Sequence, residues 1–466
     1  MGYNTIILGA GGREFDNFLV YFKNNPLFNV VAFTAAQIPG IEKRVFPKKL
    51  AGRLYKTDIP IYPENNLPKL IKKFKVDYCF LSYSDLSHQE VMEKASLVLS
   101  SGANFALLGT KDTMIKSKKP VISITAVRTG SGKSQTSRAI GKILRNYRKK
   151  IVAIRHPMLY GNLLKQKVQK FSKYKDFKKY KCTIEELEEY EPWVNLGFSV
   201  YAGVDYQKII NKAEKEAEII IFDGGNNDWS FYKPDLNIVI ADAFRPNHEI
   251  SYYPGFINFL MADIILINKV NTAKKSNIKI IENNAKKHNP RAIIIKAGSV
   301  ITVDKPELLK NKKILVIEDG PTLTHGGLSR GAGYIALKKY KGHIVNAQKY
   351  AVGSIKDTYK KYPHLKEELP AMGYSKKQLK ELETTINKAK CDVVLDSSPS
   401  DLSKILKVNK PIVNVTYELD NKSINQIEKI LRQHKFIYET KLNYYSKNLK
   451  QPLQKSNSPH QNKAKL

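Results

Sequence analysis

The 466-residue chain has only three cysteines, Cys79, Cys182 and Cys391, and they stand far apart. There is no CxxC pair and no Cys/His cluster at metal-ligand spacing, which argues against a structural zinc or a disulfide framework. No apolar run approaches the ~18 residues needed to cross a bilayer. No signal-like segment precedes the first expected strand, so the expected location is the cytoplasm and no membrane partner is expected. No internal repeat of short period is found. Acidic residues are scarce, with 43 Asp plus Glu against 78 Lys plus Arg, a formal charge of +35. That excess suits a polyanionic partner such as a nucleotide, a phosphorylated metabolite or nucleic acid. It is equally compatible with Lys-rich genome bias, because Asn, Ile and Tyr are also abundant. The length suggests two to four domains, and 42% hydrophobic residues are enough for real cores.

The centre of the chain is Ala126-Val-Arg-Thr-Gly-Ser-Gly-Lys-Ser134. The apolar run Pro120–Thr125 before it reads as a buried strand, and Gln135–Lys149 after it as a helix. Strand, glycine loop, Lys-Ser and helix form a phosphate-binding P-loop. Gly130 and Gly132 let backbone N–H groups turn toward an anion, and the helix N-terminus adds partial positive charge. Lys133 is placed for the β- and γ-phosphates, and Ser134 supplies a hydroxyl for Mg²⁺. One position departs from the usual pattern: Val127 stands where the motif opens with glycine.

Two further strand ends follow in the expected order. Glu218-Ile-Ile-Ile-Phe-Asp223-Gly-Gly reads as a Walker B strand whose terminal Asp223 lies beside the metal. Ala262–Asn268-Lys269-Val-Asn271 resembles the base-reading NKxD motif, with Asn271 in place of the Asp. An amide there loses one of the two acceptors that guanine requires, which weakens guanine specificity. Arg155 and His156 end a strand where a γ-phosphate or acceptor contact is expected. Arg245, His248 and Glu249 occupy a comparable strand-end loop, with His248 and Glu249 as candidates for proton transfer. Each histidine can also be structural. The Gly-, Thr- and His-rich loop after Lys313–Ile317 reads as a second anion site, with Thr322, Thr324 and His325 as donors and Arg330 as a phosphate clamp.

At the N-terminus, Gly9-Ala-Gly-Gly-Arg13 follows a strand, but Glu14 takes the place of the last glycine of a dinucleotide loop. A tight turn and an anion site near Gly11, Gly12 and Arg13 both remain open. Leu163–Lys181 carries eight Lys and one Asp, and an acidic run, Glu185–Glu191, follows. These are paired helix faces, a lid, or, as a weaker reading without a reader motif, a nucleic-acid surface. The fold expectation is α/β: an N-terminal Rossmann-like domain (1–117), a P-loop NTPase domain with a parallel sheet (118–345), C-terminal α/β elements (346–440) and a disordered basic tail (441–466).

Taken together, Gly9–Arg13, Val127–Ser134, Arg155-His-Pro-Met158, Asp223-Gly-Gly-Asn-Asn-Asp228, Tyr252-Tyr-Pro-Gly255, Asn268-Lys269 and Glu318–Gly326 resemble the cyclic 2,3-diphosphoglycerate synthetase-like proteins, some described simply as GTPases. The resemblance runs to about residue 420. It implies an ATP- or GTP-dependent, Mg²⁺-dependent enzyme, a ligase or a hydrolase, that forms a phosphoanhydride within 2,3-diphosphoglycerate. Nucleotide contacts are then expected from Gly130, Ser131, Gly132, Lys133, Ser134, Gln135, Asn268 and Lys269, and metal contacts from Ser134 and Asp223. Lys133, Asp223, Arg155, His156, Arg245 and His248 are the catalytic candidates, with Arg330 a further phosphate grip. A regulatory GTPase of the metallochaperone or signal-recognition class is the alternative, and oligomeric state stays open.

Overall fold

The computed structural model describes residues 2–36, 41–156, 161–324, 327–372, 375–399 and 402–438. His325 and the stretch expected as a basic tail lie outside the described residues. The architecture is mixed α/β, built on three largely parallel sheets.

The central sheet has eight strands. In spatial order they are Gln169–Phe171, Ser199–Ala202, Ile151–Arg155, Ile219–Asp223, Val121–Ala126, Leu236–Asp242, Ile264–Asn268 and Ile293–Lys296. All pairings are parallel except that of the edge strand Gln169–Phe171. Five of the inner strands are buried at every residue, which is why they read as largely apolar runs. The chain leaves Val121–Ala126 toward Ile151–Arg155 on one side and later returns to Leu236–Asp242 on the other. This reversal opens a crevice at the carboxyl ends of the strands, where open α/β sheets bind ligands.

The first sheet orders Val45–Phe46, Ile59–Pro63, Phe28–Ala35, Tyr3–Leu8, Tyr78–Leu81 and Asn104–Leu107. Only the Val45–Phe46 pairing is antiparallel. Its helix His88–Ser100 starts at a capping box between Ser87 and Glu90, worth about 1 kcal/mol for the cap. This unit is joined to the central one by a two-residue antiparallel ladder, Leu86–Ser87 with Tyr252–Tyr253.

The third sheet begins earlier than the boundary expected at residue 345. Ser299–Val303 pairs antiparallel with Ile412–Leu419, beside Val393–Ser397, Lys313–Glu318 and His343–Ile344. The final helix Asn421–Gln433 then returns to the central unit. Ile427, Ile430 and Leu431 share one core with Ile122, Ile140 and Leu144. The C-terminal elements therefore include a helix that completes the P-loop unit's own core.

The abrupt charge reversal after residue 181 has a local answer. Tyr174–Tyr180 and Ile184–Asn195 are helices whose Phe177, Tyr190 and Trp193 are buried in the central core. In the acidic helix, Glu189 faces Arg155 and Glu191 faces Lys404. On the basic side, Lys170 pairs with Glu216. No helix among the described residues is long and apolar enough to cross a membrane.

Candidate active site at the P-loop

Thr129–Lys133 turns between the buried strand Val121–Ala126 and the helix Lys133–Asn146. Gly130 and Gly132 hold φ of 75° and 106°, a left-handed region open to glycine at little cost. Gly132 is required for a second reason: a Cβ there would come within 2.1 Å of Asn268 Nδ2.

Val127 in place of glycine is accommodated by its neighbours. Its side chain is buried in an apolar cluster with Phe259 and Ala241. Its N–H donates to Ile240 and its carbonyl accepts from Asn227 Nδ2 at 3.1 Å. A Cβ on Gly255 would stand 2.1 Å from that carbonyl, so the close approach falls to Gly255 instead.

The residues of the Asn268-Lys269 motif brace the loop from below. Asn268 Nδ2 donates to the Ser131 carbonyl at 2.8 Å, and Lys269 Nζ donates to the Gly130 carbonyl and to Asp242 Oδ2, both at 2.9 Å. Arg245 joins them, with bonds to Asp242 and to the Thr129 carbonyl at 2.7 Å. These two cations hold the buried Asp242 carboxyl below the usual range, against the opposing effect of burial. Asn271 takes a different part: its Oδ1 accepts from Ser299 N–H and its Nδ2 donates to the Ser299 carbonyl, each at 2.9 Å. Gln135 Oε1 accepts from Ser299 Oγ at 3.2 Å.

On the opposite side, Lys133, Asp223, Arg155 and His156 are brought together. Lys133 Nζ donates to the Asn226 carbonyl, and burial lowers its pKa to about 8. Asp223 accepts from Ser137 Oγ at 2.7 Å through Oδ1, and from Trp193 Nε1 at 3.0 Å through Oδ2. Arg155 lies 2.8 Å from the same Oδ2 and also faces Glu189. His156 stands 3.5 Å from Asp228, and burial among Arg13, Arg155 and Lys133 lowers its pKa to about 3. It is a neutral imidazole at physiological pH.

His248 lies apart from this group, stacked on Tyr252 with ring centroids 4.7 Å apart and its Nδ1 2.7 Å from Arg128 Nη1. Glu249 is buried and bonded to Asn284. Arg330 pairs with Glu367 at 3.2 Å and packs over Tyr334. Thr322 approaches the P-loop, since a Cβ on Gly130 would lie 3.0 Å from its Oγ1. Thr324 Oγ1 donates to the Gly320 carbonyl. At the N-terminal loop, Arg13 is buried against Trp229 and Phe231, 3.9 Å above the Phe231 ring, and donates to the Trp229 carbonyl. That side chain joins two units.

The metal candidates can be weighed on their oxygens. Ser134 sits half-buried in the first turn of the P-loop helix. Asp223 has both oxygens engaged, yet each carboxylate oxygen accepts more than one bond. Mg²⁺ retains several waters and needs few protein ligands. A hydroxyl and a strand-end carboxylate are the hard oxygen donors it takes, so the pair fits.

Comparison with known proteins gives one strong likeness. The chain is 55% identical over 430 residues to the arginine synthetase ArcE of Thermococcus kodakarensis, spanning 92% of this chain and 96% of that protein. The chain belongs to the ArcE family. It is an enzyme. No family model matches the sequence. Among solved structures, the hydrogenase maturation factor HypB of Archaeoglobus fulgidus is similar over 38% of this chain and 80% of its own, at 17% identity and a TM-score of 0.24. A UDP-N-acetylmuramate:L-alanyl-gamma-D-glutamyl-meso-diaminopimelate ligase of Neisseria meningitides is similar over 64% of this chain and 78% of its own, at 10% identity and a TM-score of 0.27.

In this ArcE-family chain, several site residues carry no role in the motif reading: Asp85, Arg128, Glu189, Trp193, Asn227, Asp228 and Gly255. Asp228 was within reach, since it closes the Asp223–Asp228 motif and is buried beside His156. Glu189 stood out only as part of the acidic run, and Trp193 had no local signal.

Proposed function

We propose that this enzyme transfers the γ-phosphoryl group of ATP to an oxygen of an amino-acid acceptor and releases arginine. The first unit is read as Rossmann-like and the central one as a P-loop NTPase domain. The reading is carried by one observation: Lys133, which opens the P-loop helix, lies close enough to the strand-end Asp223 for their charges to interact, and Ser137 of the same helix bonds Asp223, in a chain of the ArcE family.

The product dictates the chemistry. A guanidinium carbon differs from a ureido carbon by one nitrogen in place of an oxygen, and that oxygen must be made a leaving group. In the proposed sequence, the ureido oxygen of a δ-ureido amino acid attacks the γ-phosphorus, the new O–P bond forms and ADP departs. A nitrogen nucleophile then adds to the activated carbon, loses a proton, and phosphate leaves with the oxygen. Lys133 would hold the β- and γ-phosphates, the P-loop N–H groups would orient the triphosphate, and Ser134 with Asp223 would hold Mg²⁺. The metal would neutralise charge that builds up on the transferring group. Arg155 would keep Asp223 oriented. His156, held neutral, has a lone pair available for a proton on the Asp228 side.

A guanine-reading role for the Asn268–Asn271 motif is disfavoured, because both polar atoms of the Asn271 amide are bonded to the Ser299 backbone, and ATP is the nucleotide of this reading. The same observation disfavours the regulatory GTPase reading. Anhydride formation within 2,3-diphosphoglycerate remains the second reading, supported by the motif set. Against it, Arg155, Arg245 and Arg330, the expected phosphate grips, each face carboxylates of the protein.

The test is phosphorus NMR and amino-acid analysis on the purified enzyme. MgATP is supplied with a δ-ureido amino acid plus ammonium, or with 2,3-diphosphoglycerate. Arginine, ADP and phosphate in equal amounts are expected from the first mixture. A cyclic phosphate resonance from the second, with no arginine from the first, would replace this reading by the other.

A further inference from the structure

We infer that the first unit sets the geometry of the P-loop, and that Asp85 and Arg128 are the positioning pair through which it does so. The inference rests on the P-loop reading above.

Arg128 is the third residue of the nine-residue loop motif and 5% exposed. Its Nε lies 2.7 Å from Asp85 Oδ1, in the loop that follows strand Tyr78–Leu81 of the first sheet. Both side chains are buried to within 6%. The guanidinium carbon lies 3.6 Å from the centroid of the Tyr252 ring, and Nη1 meets His248 Nδ1 at 2.7 Å. Planar, forked and always charged, an arginine at such a site is not replaceable by lysine. Asp85 is itself held firmly. Its N–H donates to the Tyr253 carbonyl, beside the short ladder of Leu86–Ser87 with Tyr252–Tyr253. It adopts a φ of 67°, a left-handed conformation that aspartate tolerates better than most residues.

The contact reaches the loop's backbone directly. The Arg128 carbonyl accepts from Ser131 Oγ at 2.8 Å, and Ser131 is the residue between the two left-handed glycines. Displacing Arg128 therefore disturbs the turn whose N–H groups face the triphosphate. A second line from the first unit runs in parallel, from Arg13 to the Trp229 carbonyl and to Asp228 at 3.9 Å. Asp228 in turn faces His156. The first unit thus grips the P-loop side and the His156 side of the crevice independently. The pair bonds the loop's own backbone through the Arg128 carbonyl, and Asp85 also lies close enough to act on the Lys133 charge, so it works through the loop's orientation and its lysine.

The test uses the full chain carrying Asp85→Asn, Asp85→Glu or Arg128→Lys. Binding of a non-hydrolysable MgATP analogue, kcat and KM for ATP in the arginine-forming assay, and the melting temperature are measured. Asp85→Asn is expected to weaken analogue binding and to lower kcat/KM for ATP about ten- to a hundredfold. Asp85→Glu, which keeps the charge, is expected to recover part of the loss, and Arg128→Lys to resemble Asp85→Asn. Variants that melt earlier but keep the wild-type kcat/KM per folded molecule would overturn the inference and leave the pair a stabilising contact only. A wild-type protein that binds no MgATP analogue would overturn the P-loop reading itself, and this inference with it.

Discussion

Asn268 Nδ2 and the Ser131 carbonyl are 2.8 Å apart, and the position a Cβ would take on Gly132 lies 2.1 Å from the same amide nitrogen. One side chain thus supports the loop and forbids any larger residue at its tip. Gly132→Ala is expected to abolish nucleotide binding, through the clash and through the strain of φ 106°. Asn268→Ala alone removes one buried hydrogen bond, worth about 1 kcal/mol, and is expected to weaken binding about fivefold. The double variant Gly132→Ala with Asn268→Gly should bind better than Gly132→Ala alone, because the clash partner is gone. Calorimetric titration with a MgATP analogue measures all three. No recovery in the double variant would mean that backbone strain, and not Asn268, sets the requirement for glycine.

Lys133 gives a pH signature. Its pKa is lowered to about 8, first by burial and then by Arg155. A triphosphate favours the charged form, so binding above pH 8 must draw a proton onto the amine. Affinity should be flat below pH 8 and fall about tenfold per unit above it. Proton uptake on binding at pH 9, read from titrations in buffers of different ionisation heat, is the direct check. Lys133→Ala should abolish turnover and lose this pH dependence.

The parts of the site that were legible in the sequence are those made by neighbours in the chain. Strand, glycine turn and helix follow one another from Val121 to Asn146, so their residue types appear as one motif. Asp223 announces itself by ending an apolar run. What pins these pieces together comes from afar. Asn227 reaches Val127 over 100 residues, Asp85 reaches Arg128 over 43, and Trp193 reaches Asp223 over 30. No periodicity records such pairings. The third sheet was not legible for the same reason: Ser299–Val303 has its partner in Ile412–Leu419, more than a hundred residues later. The arginines were recognisable as functional types, but their counter-charges, Asp242, Asp223 with Glu189, and Glu367, could be assigned only in three dimensions.

Asn271 separates two accounts of base recognition. If it reads the base, Asn271→Asp should raise preference for GTP. In the structure its amide donates to one Ser299 backbone group and accepts from the other. A carboxylate cannot donate, and it would face the Ser299 carbonyl. The expected outcome is a loss of about 1–3 kcal/mol of stability with the ratio of ATP to GTP affinity unchanged. Chemical denaturation and competition binding give the two numbers, and a shift of ten or more toward GTP would restore Asn271 as a base contact.

Buried acids at the joint between the first and central units predict how stability varies with pH. Burial raises Glu14 to about 8, helped by Asp228, and Asp16 to about 7. Both are fully protonated in the folded protein at mild acid pH, while the unfolded chain already releases these protons. For a carboxyl raised in the fold, the native state binds more protons over the window between the ordinary pKa, 4.5 for Glu14 and 3.8 for Asp16, and the raised one. Stability from these groups is therefore greatest below those ordinary values and declines as pH rises toward 8. His156 and His248, lowered to about 3 and about 4, act with the opposite sign, since their contribution is complete above 6.5 and is lost as pH falls. The two trends can be separated by substitution. Glu14→Gln should gain melting temperature relative to wild type at pH 8.5 and show little or no gain at pH 4.5. His248→Asn, which removes one titrating partner of Arg128, should flatten the acid limb only. Parallel melting curves for wild type and Glu14→Gln across the whole range would show that Glu14 is ionised in the folded protein, and that Arg13 compensates it in full.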